Sequence, residues 1–128
     1  MYELSVQLEF SAAHHLRGYE GKCSRLHGHN YRVEVTVAGR ELGPDGMLVD
    51  FGRLKELCQQ AVAELDHALL NDHPFFQEHN PTSENLARYL HSQLAGRLSG
   101  TAAHLTAVRV WESASSAASY TEGGKCGR

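Results

Sequence analysis

Tyr2-Glu3-Leu4-Ser5-Val6-Gln7-Leu8-Glu9-Phe10 alternates apolar and polar side chains without a break, and Tyr31-Arg32-Val33-Glu34-Val35-Thr36-Val37 repeats the pattern. A period of two is that of a strand with one face buried and one face wet. Working outward, Gly39 and Gly43-Pro44-Asp45-Gly46 supply turn chemistry after the second strand. From Asp50, a suitable N-cap, Leu54, Leu57, Cys58, Ala61, Val62 and Leu65 recur at helical spacing. The stretch from His73-Pro74 to Asn80-Pro81 reads as a loop. Thr82 or Ser83 then caps a second helix with the apolar row Leu86, Leu90, Leu94 and Leu98, ended by Gly100. Leu105 to Glu112 returns to strand pattern, with Val108 and Val110 on one face, and Ser116 to Thr121 reads as a weaker last strand. The order ββααββ predicts an α+β fold: an antiparallel sheet with two helices on one face. One domain is expected over residues 1–122, with a frayed tail at 123–128.

Composition narrows the function. The chain has 128 residues, 41% of them hydrophobic, enough for a real core. A net charge of -3 provides no global basic field, so nucleic acid and anionic membrane surfaces are not implied as partners. The three cysteines, Cys23, Cys58 and Cys126, form no Cys-x-x-Cys pair, which fits a reducing compartment. With neither a signal-peptide pattern nor an apolar run of membrane-spanning length, the expected location is cytoplasmic.

Seven of the nine histidines fall between Phe10 and His79. Side chains two apart on a strand share a face, so the buried parity of the first strand runs from Phe10 through Ala12 to His14, leaving His15 on the other side. Extended backwards from Tyr31, the second strand's parity leads to His29 and His27, provided the strand persists that far. Val108 and Val110 lead likewise to Glu112, an acid at the end of an apolar face, where it needs a partner. Three imidazoles suit zinc with a fourth position left open, although imidazole also suits copper, iron and nickel. Cys23 stands close by in Lys22-Cys23-Ser24-Arg25-Leu26-His27-Gly28-His29-Asn30. It either closes a structural site as a fourth ligand, as in a noncatalytic zinc-binding module, or serves as a reactive thiol favoured by Lys22 and Arg25.

In family order, the segments Phe10-Ser11-Ala12-Ala13-His14, Cys23 to Asn30, Leu65-Asp66-His67-Ala68-Leu69-Leu70-Asn71, Asn80-Pro81-Thr82-Ser83-Glu84-Asn85-Leu86-Ala87 and Val108-Arg109-Val110-Trp111-Glu112-Ser113 resemble the 6-pyruvoyl-tetrahydropterin synthase / 6-carboxytetrahydropterin synthase family. The resemblance implies the tunnelling fold, or T-fold, whose subunits associate into a barrel and commonly form hexamers as dimers of trimers. It implies a zinc-dependent lyase acting on a small pterin triphosphate, with zinc on His14, His27 and His29. Cys23, Asp66, His67 and Glu112 match the family's catalytic residues, and Glu112, Thr82 and Ser83 its pterin contacts. Three residues separate Cys23 from His27, as in the queuosine-pathway carboxy branch; the pyruvoyl branch typically has a longer insert. That branch converts 7,8-dihydroneopterin triphosphate to 6-carboxy-5,6,7,8-tetrahydropterin, acetaldehyde and triphosphate. Ser113 departs from the Glu-Thr of many relatives but keeps the hydroxyl.

Two expectations about the chemistry remain open at this level. Adjacent residues on a regular helix do not face each other, so Asp66 and His67 can cooperate only if the helix ends or distorts there. Arg17, Lys22 and Arg25 crowd one segment and either meet the triphosphate or form an ordinary solvated basic loop.

Overall fold

The computed structural model describes residues 1–122; the expected frayed tail at 123–128 lies outside the described residues. Strands β1 (Tyr2–His14) and β2 (His27–Gly39) form a long antiparallel hairpin that pairs Tyr2 with Gly39 at one end and His14 with His27 at the other. Strand β4 (His104–Ser113) pairs antiparallel with β2, and β5 (Ser116–Thr121) with β4. The alternating sequences thus become one sheet, and their shared parity buries one face of it. Val6, Phe10, Tyr31, Val33, Val35, Val37, Val108 and Val110 are all buried there.

Helix α1 (Phe51–Val62) starts where predicted, with the Asp50 carboxylate accepting from the Arg53 N–H at 2.9 Å. Helix α3 (Ser83–Leu98) starts after Thr82, whose hydroxyl accepts from the Asn85 N–H at 3.2 Å. Each such cap stabilises its helix by about 1 kcal/mol. α1 packs on β1, α3 on β4 and β5, and the helices on each other. Their apolar rows, Leu54, Leu57, Cys58 and Ala61 against Leu86, Leu90, Leu94 and Leu98, close the core.

The region between the helices carries more structure than its sequence suggests. α1 ends at Val62, short of Leu65, and the chain adds a two-residue strand β3 (Ala68–Leu69) parallel to β1, giving the sheet order β3-β1-β2-β4-β5. The expected loop holds a one-turn helix, α2 (Pro74–Glu78), with Pro74 in its first turn and the His73 side chain accepting from the Phe75 N–H at 3.2 Å. Proline at a helix start was the available signal. Gly39 also differs from expectation: it is the last residue of β2, and a Cβ there would stand 2.9 Å from the Ala102 carbonyl oxygen, so close packing demands the glycine. Gly46 is the turn glycine, at φ 81°.

Candidate active site

The hairpin reaches far enough for parity to act at its end. His14 is only 2% exposed, His27 and His29 are half-buried, and the ligating nitrogens of the three lie within 4.8 Å of one another. His14 Nδ1 lies 2.6 Å from the Pro81 carbonyl oxygen, and His27 Nδ1 2.7 Å from that of Arg25. A carbonyl only accepts, so each Nδ1 carries the hydrogen and each neutral ring keeps its lone pair on Nε2. Those two Nε2 atoms face each other at 3.0 Å. Lone pairs converging at that distance repel unless a cation lies between them, and a carbonyl on the far nitrogen is the usual orienting partner of a metal-bound imidazole. The residues present therefore fit a divalent metal of the kind imidazole holds.

Burial holds the His14 pKa below its ordinary value, opposed by the Pro81 carbonyl and the Glu112 charge and assisted by His27 and His29. The neutral, ligand-ready form is favoured. Tyr31, wholly buried beneath the site, brings its hydroxyl to 3.3 Å from His14 Nδ1, and burial with the nearby Glu112 charge raises its phenol above the ordinary value.

Cys23 stands on a single 3-10 turn (Lys22–Ser24), half-buried and outside the group of ligating atoms formed by His14, His27 and His29. Its carbonyl accepts from the Leu16 N–H at 2.9 Å, drawing the loop back over the end of β1.

The helix does end before Asp66 and His67. His67 takes a left-handed backbone, φ 58°, and its Nδ1 lies 2.9 Å from Asp66 Oδ1, which also accepts from the Ser11 N–H at 3.0 Å. A non-glycine residue with that φ is uncommon, and here it turns two sequence neighbours onto one another. The carboxylate fixes the hydrogen on Nδ1 and leaves Nε2 as the basic nitrogen of a side chain that is 82% exposed. His67 and His29 line the same cleft of about 520 Å³ with Ser11, Asn30, Ala68 and Leu69.

Glu112 sits at a register irregularity: Trp111 pairs with Ala117 but Ser113 with Ser116. Such bulges re-aim side chains. Glu112 Oε1 accepts from the Ser83 hydroxyl at 2.9 Å, and the two line a smaller cleft of about 180 Å³ with Glu84 and Ser116. Thr82 is differently employed. Its hydroxyl caps α3 and its N–H donates to the Asn80 carbonyl at 2.8 Å.

Of the three basic residues, Arg17 donates from its guanidinium to the Phe76 carbonyl at 2.8 Å, while Lys22 and Arg25 are exposed. Three asparagines that hold the loops around the site lie in the family-like segments, but the sequence reading gives them no role. Asn71 takes both backbone groups of His15, Asn80 takes both of Arg17, and Asn85 donates to the Asn80 carbonyl at 2.9 Å. The Asn71 and Asn80 pairings are long-range, and nothing in the local spacing marks them.

Comparison with known proteins bears on this geometry. The chain is 39% identical over 115 residues to the 6-carboxy-5,6,7,8-tetrahydropterin synthase of Bacillus subtilis, covering 86% of this chain and 77% of that one. It is 38% identical over 125 residues to the protein of the same name from Synechocystis, covering 94% and 93%. The solved structure of Caenorhabditis elegans 6-pyruvoyl tetrahydropterin synthase superposes with a TM-score of 0.83 at 30% identity over 94% of each chain. Residues 3–123 match the sequence profile described as 6-pyruvoyl tetrahydropterin synthase. With its histidine trio, its Asp66–His67 pair and Glu112 in this fold, the chain belongs to the 6-pyruvoyl tetrahydropterin synthase family.

Proposed function

We propose that the protein is a zinc-dependent 6-carboxy-5,6,7,8-tetrahydropterin synthase. It converts 7,8-dihydroneopterin triphosphate and water to 6-carboxytetrahydropterin with release of acetaldehyde and triphosphate, a step of queuosine biosynthesis. The convergence of the His14 and His27 Nε2 lone pairs at 3.0 Å, in a relative of proteins bearing that name, carries this reading.

His14, His27 and His29 would hold the zinc, which as a Lewis acid would polarise the hydroxyls of the substrate's C6 side chain and acidify the adjacent C–H. Glu112 grips the pterin ring: one of its oxygens is engaged by Ser83, and a carboxylate has further acceptor capacity for ring N–H and amino groups. Ser83 orients that carboxylate, and Thr82 contributes by shaping the α3 N-terminus. Cys23, as thiolate, moves a side-chain proton, and His67, held by Asp66, acts as the second acid or base. Lys22 and Arg25, both exposed, would meet the triphosphate by charge-assisted hydrogen bonds.

We further propose a cytoplasmic homo-oligomer, a hexamer built as a dimer of trimers. β5 and most of β1 lie at the two edges of the sheet, and an unpaired edge is a template for another chain. No helix among the described residues is long and apolar enough to cross a membrane.

The rival product is 6-pyruvoyl-tetrahydropterin, favoured by the likeness to the nematode structure. Mass spectrometry of the product decides: carboxytetrahydropterin with acetaldehyde supports the proposal, and a retained three-carbon side chain overturns it.

A further inference from the structure

Between the end of β1 and the Cys23 turn, residues 15–17 form a short strap, and two carboxamides grip its backbone. Asn71 Oδ1 accepts from the His15 N–H and Asn71 Nδ2 donates to the His15 carbonyl, both at 3.0 Å. Asn80 does the same to Arg17, at 2.9 and 3.0 Å. Since the backbone N–H must meet the oxygen, both amide orientations are fixed. Each carboxamide thus mimics a strand neighbour. Between the two clamps, the Leu16 N–H donates to the Cys23 carbonyl at 2.9 Å, so the strap sets the position of the thiol turn.

Both carboxamides bond the strap alone, and the two clamps differ in what their backbones adjoin. Asn71 belongs to the 3-10 turn Leu70–Asp72 after β3. Asn80 immediately precedes Pro81, whose carbonyl takes the His14 Nδ1 hydrogen at 2.6 Å. The Asn80 carbonyl is itself fixed by the Thr82 N–H at 2.8 Å and by Asn85 Nδ2 at 2.9 Å. One residue therefore ties the thiol loop to the segment that orients a buried metal ligand.

We propose that Asn80 is a positioning residue that couples the Cys23 loop to the metal centre, whereas Asn71 positions the loop alone. The inference rests on the zinc reading above but not on the identity of the product.

Asn71→Ala and Asn80→Ala, with Asn71→Asp and Asn80→Asp as near-isosteric versions that keep the acceptor and lose the donor, separate the two roles. Three readouts apply to the full chain: zinc affinity by competition with a chromophoric chelator, iodoacetamide alkylation of the Cys23 peptide followed by mass spectrometry, and thermal unfolding. Substitution at either asparagine should speed Cys23 alkylation several-fold. Only substitution of Asn80 should also weaken zinc, by roughly the 10- to 100-fold typical of outer partners of metal-bound histidines. Equal effects of the two positions on zinc, or zinc and alkylation unchanged in a folded Asn80 variant, would overturn the proposal. If the alanine variants fail to fold, the aspartate pair supplies the same two comparisons. Failure of the wild-type protein to turn over dihydroneopterin triphosphate would sink the functional reading while leaving these zinc and alkylation outcomes to judge Asn80.

Discussion

Two histidine clusters in this molecule are built from similar parts and end differently. Under α1, α2 and α3, His73 Nδ1 accepts from the Phe75 N–H, its Nε2 lies 3.0 Å from Glu64 Oε1, and the Tyr89 hydroxyl donates to that same carboxylate oxygen. Every polar atom of the ring is answered by the protein. At the end of the β1–β2 hairpin, backbone carbonyls answer His14 and His27 at Nδ1, the Tyr31 hydroxyl comes only to 3.5 Å from His14 Nε2, and the two Nε2 lone pairs are turned on each other. The first is a closed network that rigidifies helix packing; the second is left for a ligand. Residue type does not separate a structural histidine from a functional one here, nor does one unanswered nitrogen, since buried His91 Nε2 also lacks a hydrogen-bond partner; the convergence of Nε2 atoms on one point does.

The sharpest way to break that contrast is to remove one ring from each cluster. His27→Ala should lose stoichiometric zinc and turnover together, well beyond the roughly 10- to 100-fold that losing an outer partner costs. His73→Ala should keep zinc and lose stability. Metal content after dialysis, read beside thermal unfolding, checks both; a zinc-replete His27→Ala protein would end the distinction.

Next in size is Cys23→Ala. With the thiol outside the ligand group, turnover should fall by about 10²- to 10⁴-fold, the usual worth of a proton-transfer group, while zinc stays stoichiometric. Cys58 offers an internal control. It is 1% exposed and burial pushes its thiol up to about 12, so alkylation of the folded protein should leave it unmodified.

The two clusters should also separate along the pH axis. Burial holds the His14 pKa below its ordinary 6.5, so in metal-free protein the unfolded chain takes up the proton first. Stability should therefore decline as pH falls from about 6.5 towards the folded pKa. Glu64 is held below its ordinary value first by the Tyr89 hydrogen bond and then by that from His73, so its contribution persists above about 4.5 and fades only as pH falls through the folded pKa. Thermal unfolding of metal-free protein from pH 8 down to about 2 reads both windows. A His91→Gln background is needed, because burial also lowers the His91 pKa. A His14→Gln variant that keeps the upper slope would contradict the assignment.

Smallest is Tyr89→Phe. It removes one hydrogen bond to a carboxylate that is 56% exposed, so about 1 kcal/mol of stability should go, with zinc affinity unmoved. Urea unfolding beside a zinc titration tests it.

How much of this could be read from the chain follows from the range of the forces involved. Alternation is a local signal, and it led correctly from Phe10 to His14 and from Tyr31 to His29 because both strands run to the hairpin's end in register. Capping is local too, and Asp50 and Thr82 start the helices they were assigned. Asp66 and His67 required a left-handed residue, a conformation that histidine adopts more readily than most non-glycine residues but still too rarely to be read from the chain. β3 is two residues long, too short for any period to register. The asparagine clamps and the Glu64–His73–Tyr89 network join residues distant in sequence, so only the folded chain brings them together.

The central claim is an open zinc site of three imidazoles with a thiol kept off the metal. Zinc K-edge X-ray absorption of the loaded wild-type protein tests it most directly. The account predicts three imidazole nitrogens at about 2.0–2.1 Å with a light-atom fourth ligand and no sulfur. A zinc–sulfur contribution near ~2.3 Å that vanishes in Cys23→Ala would contradict it, making Cys23 a ligand and the site a closed one.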